Sequence, residues 1–400
     1  MNILFITRES PWPPHAGDLL FTKELIDSLS EHDEVKLTVY CGNLGADAVS
    51  ASSNFSQANI FFGKKKTYSS IRSIFSRYPR AVVGAIDNVD IKNIKRMLVS
   101  NDFDFVFMNE TSVGNVAISI GKKRREEYVG RAKEKYVYIS HNVDYVLRPK
   151  AAKEEDRFFK RLVMVFDAWK YSKTERKVIE YSDVVTAISD EDKVVYERDY
   201  PESEVFKLSP GYGGQKVFER KIDITTPRIV AIVGSFLWHV KQKNLMEILE
   251  AFRDSNEAGV IVRVAGKMTN EFRLSCLERY PFIEIIPNFE NVNLVLKDVR
   301  MALVLERVGG GFKLKTLDYI FNRIPVVAYK ESINGSGLVD GESCFVVDNV
   351  EEACSVVNEY IDNLDELNLM HDNAFNRTLD KFSWETRVNE LVSFLKESVV

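Results

Sequence analysis

Short apolar, often β-branched runs alternate with segments of helical periodicity along the whole 400-residue chain, and that alternation leaves few folds open. A strand, a helix and a further strand close as a right-handed crossover between parallel strands, so such a chain folds into wound α/β sheets. The first series of strands reads Ile3 to Thr7, Val35 to Cys41, Phe105 to Met108, Tyr136 to Ser140, Val184 to Ile188 and Val205 to Leu208. Phe21 to Leu29 and Ile91 to Val99 read as helices between them. The polar stretch Glu219 to Arg228, with Pro227 near its end, has no apolar periodicity and interrupts the series. A second series begins at Ile229 to Val233 and continues through Val260 to Ala265, Ile283 to Ile286, Met301 to Leu305, Pro325 to Ala328 and Cys344 to Val347. Leu245 to Phe252 and Thr316 to Asn322 are its helices, and Val350 to Leu364 and Trp384 to Lys396 close the chain. This length exceeds what one core normally serves. The expected domains are therefore 1–218, 219–381 and a closing helix in 382–400.

Open parallel sheets bind ligands outside the carboxyl ends of their strands. Two of them face to face would make a cleft lined by the loops after Thr7, Ser140, Val233 and Leu305. The last of these loops is the most telling. Gly309, Gly310 and Gly311 precede a helix that carries Lys313 and Lys315. Residues without Cβ let backbone N–H groups approach an anion closely. Two cations in a first turn oppose the helix dipole, which is unfavourable unless something negative binds there. A plain strand-to-helix turn with two solvated lysines is the alternative.

A net charge of −5, from 54 basic and 59 acidic residues, argues against a general nucleic-acid binder. The four cysteines lack metal-ligand spacing, and a reducing cytoplasm is the expected home. No Asp-x-Asp pair follows a strand, so no metal is expected. The first strand opens on Met1 without a basic leader, and no apolar run reaches the roughly 18 residues of a membrane span, so neither a signal peptide nor a spanning helix is expected. Residues 64–80 hold six basic residues and no acidic ones. Ile71, Ile74, Phe75 and Tyr78 recur there at helical spacing, opposite Arg72 and Arg77, with Arg80 beyond. Such a helix suits an anionic membrane surface, or else it is a core helix with a solvated basic face. Residues 122–135 add a further basic stretch. The apolar positions of Arg157 to Tyr171 read as core, with a membrane face as the alternative.

The four loops, in this order, resemble those of the retaining GT-B glycosyltransferases of the large family of bacterial polysaccharide and lipopolysaccharide sugar transferases (glycosyltransferase family 4-like). The resemblance is closest in VLERVGGGFKLKTLDYIFNRIPVV, residues 304–327, which is similar to the family's G-x-G-x-K-x-K-x-L-E core followed by Pro-Val-Val. Asp318 stands where the family has the glutamate that holds the nucleotide ribose, and Gly310 stands where the commoner pattern has a second glutamate. GSFLW, residues 234–238, looks like the opening of the family's second domain, with Lys241 or Lys243 in the place of its diphosphate-binding lysine. His141 and Asn142 resemble the acceptor-side His-Asn segment, and FSWE, residues 382–385, the helix that crosses back to the first domain.

The resemblance implies two Rossmann-like doubly wound parallel sheets facing across a cleft. It implies transfer of a sugar from a nucleoside diphosphate sugar to a glycan or lipid-linked acceptor, with retention and without a cofactor or metal. Gly234, Ser235, Lys241, Lys243, Arg307, Gly309, Gly310, Gly311, Lys313, Lys315 and Asp318 would hold the donor. His141 would act on the donor sugar or an acceptor hydroxyl, and Gly17 and Asn142 would lie on the acceptor side. Attack on the face of the departing phosphate would need no enzyme nucleophile. The expected location is the cytoplasm, peripheral on the inner face of the plasma membrane. A catalytically silent scaffold subunit and a nucleotide-sugar epimerase remain as alternatives. A dinucleotide-dependent oxidoreductase is weak, because the loop after Thr7 has only Gly17 where G-x-G-x-x-G would be needed.

Overall fold

The structure is a computed structural model that describes residues 1–14, 16–43, 58–64, 70–127, 134–155, 157–255, 259–289, 291–306 and 312–399. It divides into two compact units, Met1–Gly211 with Trp384–Val400, and Tyr212–Ser383. The division falls ahead of the polar stretch 219–228. The Tyr212 N–H donates to the Phe382 carbonyl at 3.0 Å, and its ring stacks on Phe321 at 4.6 Å, which commits the chain to the second unit already there.

The first unit contains β1 (Asn2–Thr7), α1 (Gly17–Glu31), β2 (Lys36–Cys41), β3 (Asn59–Phe62), α2 (Ser70–Phe75), α3 (Arg80–Ala85), α4 (Asn88–Ser100), β4 (Phe105–Asn109), α5 (Gly114–Glu127), β5 (Lys135–Ile139), α6 (Asp144–Lys153), α7 (Phe158–Glu180), β6 (Val184–Ala187), α8 (Asp190–Asp199) and β7 (Glu204–Lys207). Its strands form one parallel sheet in the order β3-β2-β1-β4-β5-β6-β7. The second unit runs β8 (Ile229–Val233), α9 (His239–Ser255), β9 (Ile261–Ala265), α10 (Asn270–Arg279), β10 (Ile283–Ile286), α11 (Val292–Leu296), β11 (Met301–Val304), α12 (Leu314–Phe321), β12 (Val326–Tyr329), β13 (Phe345–Val347), α13 (Val350–Tyr360) and α14 (Leu364–Thr378). Its sheet is also parallel, in the order β10-β9-β8-β11-β12-β13. The last helix, α15 (Trp384–Val399), belongs to the first unit. The Trp384 ring meets Phe21 of α1 at 5.1 Å and its indole N–H donates to Glu24 at 2.6 Å.

Continuous apolar runs form these strands because both faces are covered. In β8, Val230 and Ile232 pack into one cluster with Val262, Val264 and Leu303, while Ile229, Ala231 and Val233 pack with Ala302 and Val304 on the other side. Each large aliphatic so buried contributes about 1.5–3 kcal/mol relative to exposure, before the entropy of ordering it.

Four sequence readings differ from the structure. β3 went unread because its four residues are only alternately half-buried at the edge of the sheet, so it shows no apolar run. α14 is a further helix between the two read at the chain's end. The segment 64–80 is no single amphipathic helix, since α2 ends at Phe75 and Pro79 stands at the start of α3. The stretch expected as core, Arg157 to Tyr171, is the exposed first half of α7, with Phe158 67% and Phe159 82% accessible.

Both sheets change winding direction at one place. In the first, the chain moves outward from β1 through β2 to β3 and then crosses to β4. In the second it moves from β8 through β9 to β10 and then crosses to β11. The crevice between the carboxyl ends of the two strands at such a reversal is the position where doubly wound sheets hold ligands. Arg8 and Glu110 follow β1 and β4, and Gly234 and Glu306 follow β8 and β11.

Candidate functional site

In the second unit three lysines gather on one carboxylate. Glu306 leaves the end of β11 with its backbone held from both sides, its N–H donating to Ser332 Oγ at 3.3 Å and its carbonyl accepting from the same hydroxyl at 3.1 Å. Lys315, from the first turn of α12, bonds its carboxylate. Lys241 of α9 lies 3.6 Å away and Lys313, at the N-cap of α12, 3.9 Å. Burial alone would raise the Glu306 carboxyl, but Lys315, Lys241 and Lys313 outweigh it and hold the group at about 2. Burial also pushes the Lys313 ammonium down to about 8, with Lys241 and Lys315 adding to the push against Glu306. Burial lowers Lys315 in the same way. Three lysines less one carboxylate leave these four side chains with two surplus positive charges, at 10–14% side-chain exposure for all but Lys241. An anion seated beside these side chains would offset that surplus.

The backbone around this group is shaped by close approach. A Cβ on Gly266, at φ 133°, would sit 1.7 Å from the Gly234 carbonyl oxygen, so only glycine lets the β9 end lie against the β8 end. A Cβ on Gly234 would lie 3.8 Å from the Lys315 ammonium. Tyr319 of α12 accepts the Val233 N–H at 2.8 Å, and Asn244 of α9 donates to the Leu305 carbonyl at 2.8 Å. Side chains from two helices thus fix both strand ends beside the lysines.

The first unit has its own charged group. Arg8 donates to Glu9 at 2.9 Å, to Asp18 at 2.7 Å and to Glu110 at 3.1 Å. Glu110 has φ 66° and ψ 163°, a region that costs a residue with a side chain about 1–3 kcal/mol and is found mostly where function holds it. Burial pushes its carboxyl up to about 7 against the pull of Arg8. His141 is buried, with Nε2 at 3.0 Å from Asn109 Oδ1 and Nδ1 at 3.4 Å from Glu110 Oε1. Burial lowers the His141 ring to about 4. Nearby, Arg148 donates to Asp144 at 2.9 Å, and Thr111 donates to the same carboxylate at 3.1 Å. A cavity of about 370 Å³ opens beside Arg8, lined also by Glu9, Arg80, Arg148, Asp167 and Tyr171.

Of the donor-site residues named from the sequence, Gly234, Lys241, Lys313 and Lys315 come together at Glu306. Ser235 follows Gly234, half-buried. Lys243 points to the exposed side of α9, so Lys241 is the lysine of that pair that joins the group. Asp318 is half-buried on α12. Arg307, Gly309, Gly310 and Gly311 lie outside the described residues. On the acceptor side, Gly17 opens α1 in an exposed position, and the Asn142 carbonyl accepts from Ser140 Oγ at 2.9 Å. Both ring nitrogens of His141 face protein atoms. Of the residues expected on a membrane face, Arg77 donates to Tyr78 at 3.0 Å, Arg80 lines the cavity, and the side chain of Arg72 is outside the described set. The sequence reading missed Glu306, Arg8, Glu110 and Arg148. The signal for Arg8 and Glu110 was present, since each directly follows a strand.

No family model matches the chain, and no curated protein does. Solved structures do. Sucrose-phosphate synthase from Thermosynechococcus elongatus is 14% identical with a TM-score of 0.71, over 99% of this chain and 98% of that one. HepE from Anabaena, in complex with UDP and glucose, is 14% identical with a TM-score of 0.67, over 99% and 100%. WaaG, a glycosyltransferase involved in lipopolysaccharide biosynthesis, is 14% identical with a TM-score of 0.66, over 97% and 99%. At that identity the likeness is one of fold, and the fold is GT-B.

Proposed function

We propose that this chain is a glycosyltransferase that moves a sugar from a nucleoside diphosphate sugar to a hydroxyl of a glycan or lipid-linked acceptor, with retention and without a metal. The observation that carries the reading is the group of Lys241, Lys313 and Lys315 on Glu306 at the winding reversal of the second sheet. Its two surplus positive charges equal in number the negative charges of a diphosphate diester. Cations already in place when charge develops on a leaving diphosphate stabilise it without reorganisation. The GT-B neighbours support the donor class, because the HepE structure holds UDP and glucose. The charged group around Arg8 and Glu110 is assigned to the acceptor. Contact of the basic stretch 64–80 with an anionic membrane, on the cytoplasmic face, belongs to the same proposal.

The test is a thermal-shift screen of nucleoside diphosphates and their sugars without added magnesium, followed by assay for release of the diphosphate. Protection by one nucleotide, with slow hydrolysis of its sugar ester, is expected. No protection by any of them would end the reading.

A further inference from the structure

α7 begins as a helix with its apolar side in water. Its later turns bury Ala168, Tyr171, Thr174, Glu175, Val178 and Ile179 in the first unit. Its first turns bury nothing comparable. Phe158, Phe159, Leu162, Phe166 and Trp169 are all exposed, from 45% to 82%. At about 100° per residue these five fall within one arc of roughly 100°, so they form a single stripe. Their rings pack on each other and not on a core: Phe158 meets Phe159 at 5.6 Å, and Phe166 stacks on Trp169 at 5.9 Å. The stripe continues onto α2. The Lys170 ammonium donates to the carbonyls of Ser73 and Ile74 at 2.8 and 2.9 Å, which ties α7 to the exposed Ile74 and Phe75.

The charges around the stripe are mainly basic. Glu155 takes up Arg157 and Lys160 at 2.8 and 2.6 Å and Lys170 is buried, which leaves Arg161 and Lys173 beside Asp167 on α7, while residues 70–80 carry three arginines and no acid. A soluble surface rarely keeps so many large apolar side chains together without a partner. Aromatic and aliphatic side chains on one side of a helix, with basic ones beside them, match the boundary between the headgroups and acyl chains of an anionic bilayer. A protein partner would need acidic and apolar surface in the same register. The bilayer supplies both everywhere.

We propose that the first turns of α7, with Phe75 of α2, insert into the headgroup region of an anionic membrane. This rests on the proposed membrane contact of residues 64–80 and adds to it apolar insertion by a second element, α7.

The test is co-sedimentation of the full chain with vesicles holding roughly 30% phosphatidylglycerol in phosphatidylcholine. Binding is expected to persist at about 0.5 M NaCl, where charge attraction is screened, and Trp169 fluorescence should shift to the blue. The triple variant Phe158→Ser, Phe159→Ser, Leu162→Ser should bind at least about ten-fold more weakly. Its circular dichroism and any nucleotide-induced thermal shift should match the parent's, because these side chains support no core. A variant that binds like the parent would overturn insertion, as would complete release of the parent by salt. Release by salt would leave the charge-based contact standing, whereas a parent that binds no vesicle at low salt would remove both. A concentration-dependent dimer in sedimentation velocity, abolished by the same three changes, would also overturn it in favour of a second copy on this surface.

Discussion

His141 turns its Nδ1 toward Oε1 of Glu110 at 3.4 Å, and neither atom has a hydrogen-bonding partner. The surrounding bonds say where the protons are. The Thr22 hydroxyl donates to the Asp18 carbonyl, so it must accept from Asn109 Nδ2, which leaves Asn109 Oδ1 facing His141. His141 Nε2 therefore carries a proton, and in the neutral ring Nδ1 is a bare lone pair. A protonated Glu110 facing that lone pair leaves the pair without net charge beside Arg8. This agrees with a carboxyl raised to about 7 and a ring lowered to about 4.

Those two shifts have opposite effects on stability. Glu110 binds its proton more tightly folded than unfolded, so its contribution is full below the unfolded value near 4.5 and is lost as pH rises toward 7. His141 binds its proton less tightly folded, so its contribution is full above 6.5 and is lost as pH falls toward 4. In the parent the two slopes offset between these limits. Glu110→Gln removes one of them, and the variant should gain about 2–3 kcal/mol relative to the parent between pH 4.5 and 7. Urea midpoints at the two pH values measure this, and a pH-independent difference would refute it.

Glu306→Gln strips the only carboxylate from the four-residue group at β11. Breaking a buried pair of this kind typically costs about 3 kcal/mol, because the remaining charge stays desolvated. Inorganic pyrophosphate should restore much of that loss and raise the variant's melting temperature more than the parent's. Equal shifts for both proteins would mean that no anion completes the lysines.

Lys313 titrates near 8, inside the range where affinities are easily measured. Diphosphate binding should weaken about ten-fold between pH 7 and 9 as that proton is lost. Lys313→Ala should bind weakly at both pH values and show no such step. Calorimetric titration of the parent with a flat profile would exclude Lys313 from the site.

Gly266→Ala forces a Cβ onto the Gly234 carbonyl at a φ of 133°, and a loss of about 3 kcal/mol together with diphosphate binding is expected. Gly259→Ala is the control. It has φ 63° with open space around its Cβ, so it should cost about 1 kcal/mol and leave binding unchanged. If the two variants behave alike in chemical denaturation and nucleotide binding, the close approach of the β8 and β9 ends has no functional weight.

The winding of both sheets was legible because runs such as Ile229 to Val233 and Met301 to Val304 encode burial on two faces by themselves. Lys313 and Lys315, and Lys241 as one of two alternatives, were named because they stand at helix starts that follow strands, which a parallel sheet directs to its carboxyl edge. Glu306 was not, since an isolated acid among solvated loop residues looks the same whether or not three lysines reach it. The exposure of α7 escaped for a related reason. A helix apolar on one side is written identically whether a core, a membrane or nothing covers it.

Local periodicity in the chain determined most of its strands and helices and their parallel closure, because each of those depends on residues a few positions apart. Only tertiary structure decided which charges share a site. Lys241 and Glu306 are sixty-five positions apart in sequence yet 3.6 Å apart in space, and Arg8 reaches Glu110 from another strand altogether. Coulombic energies and desolvation depend on distances and burial across the folded sheet, and no window of sequence contains those.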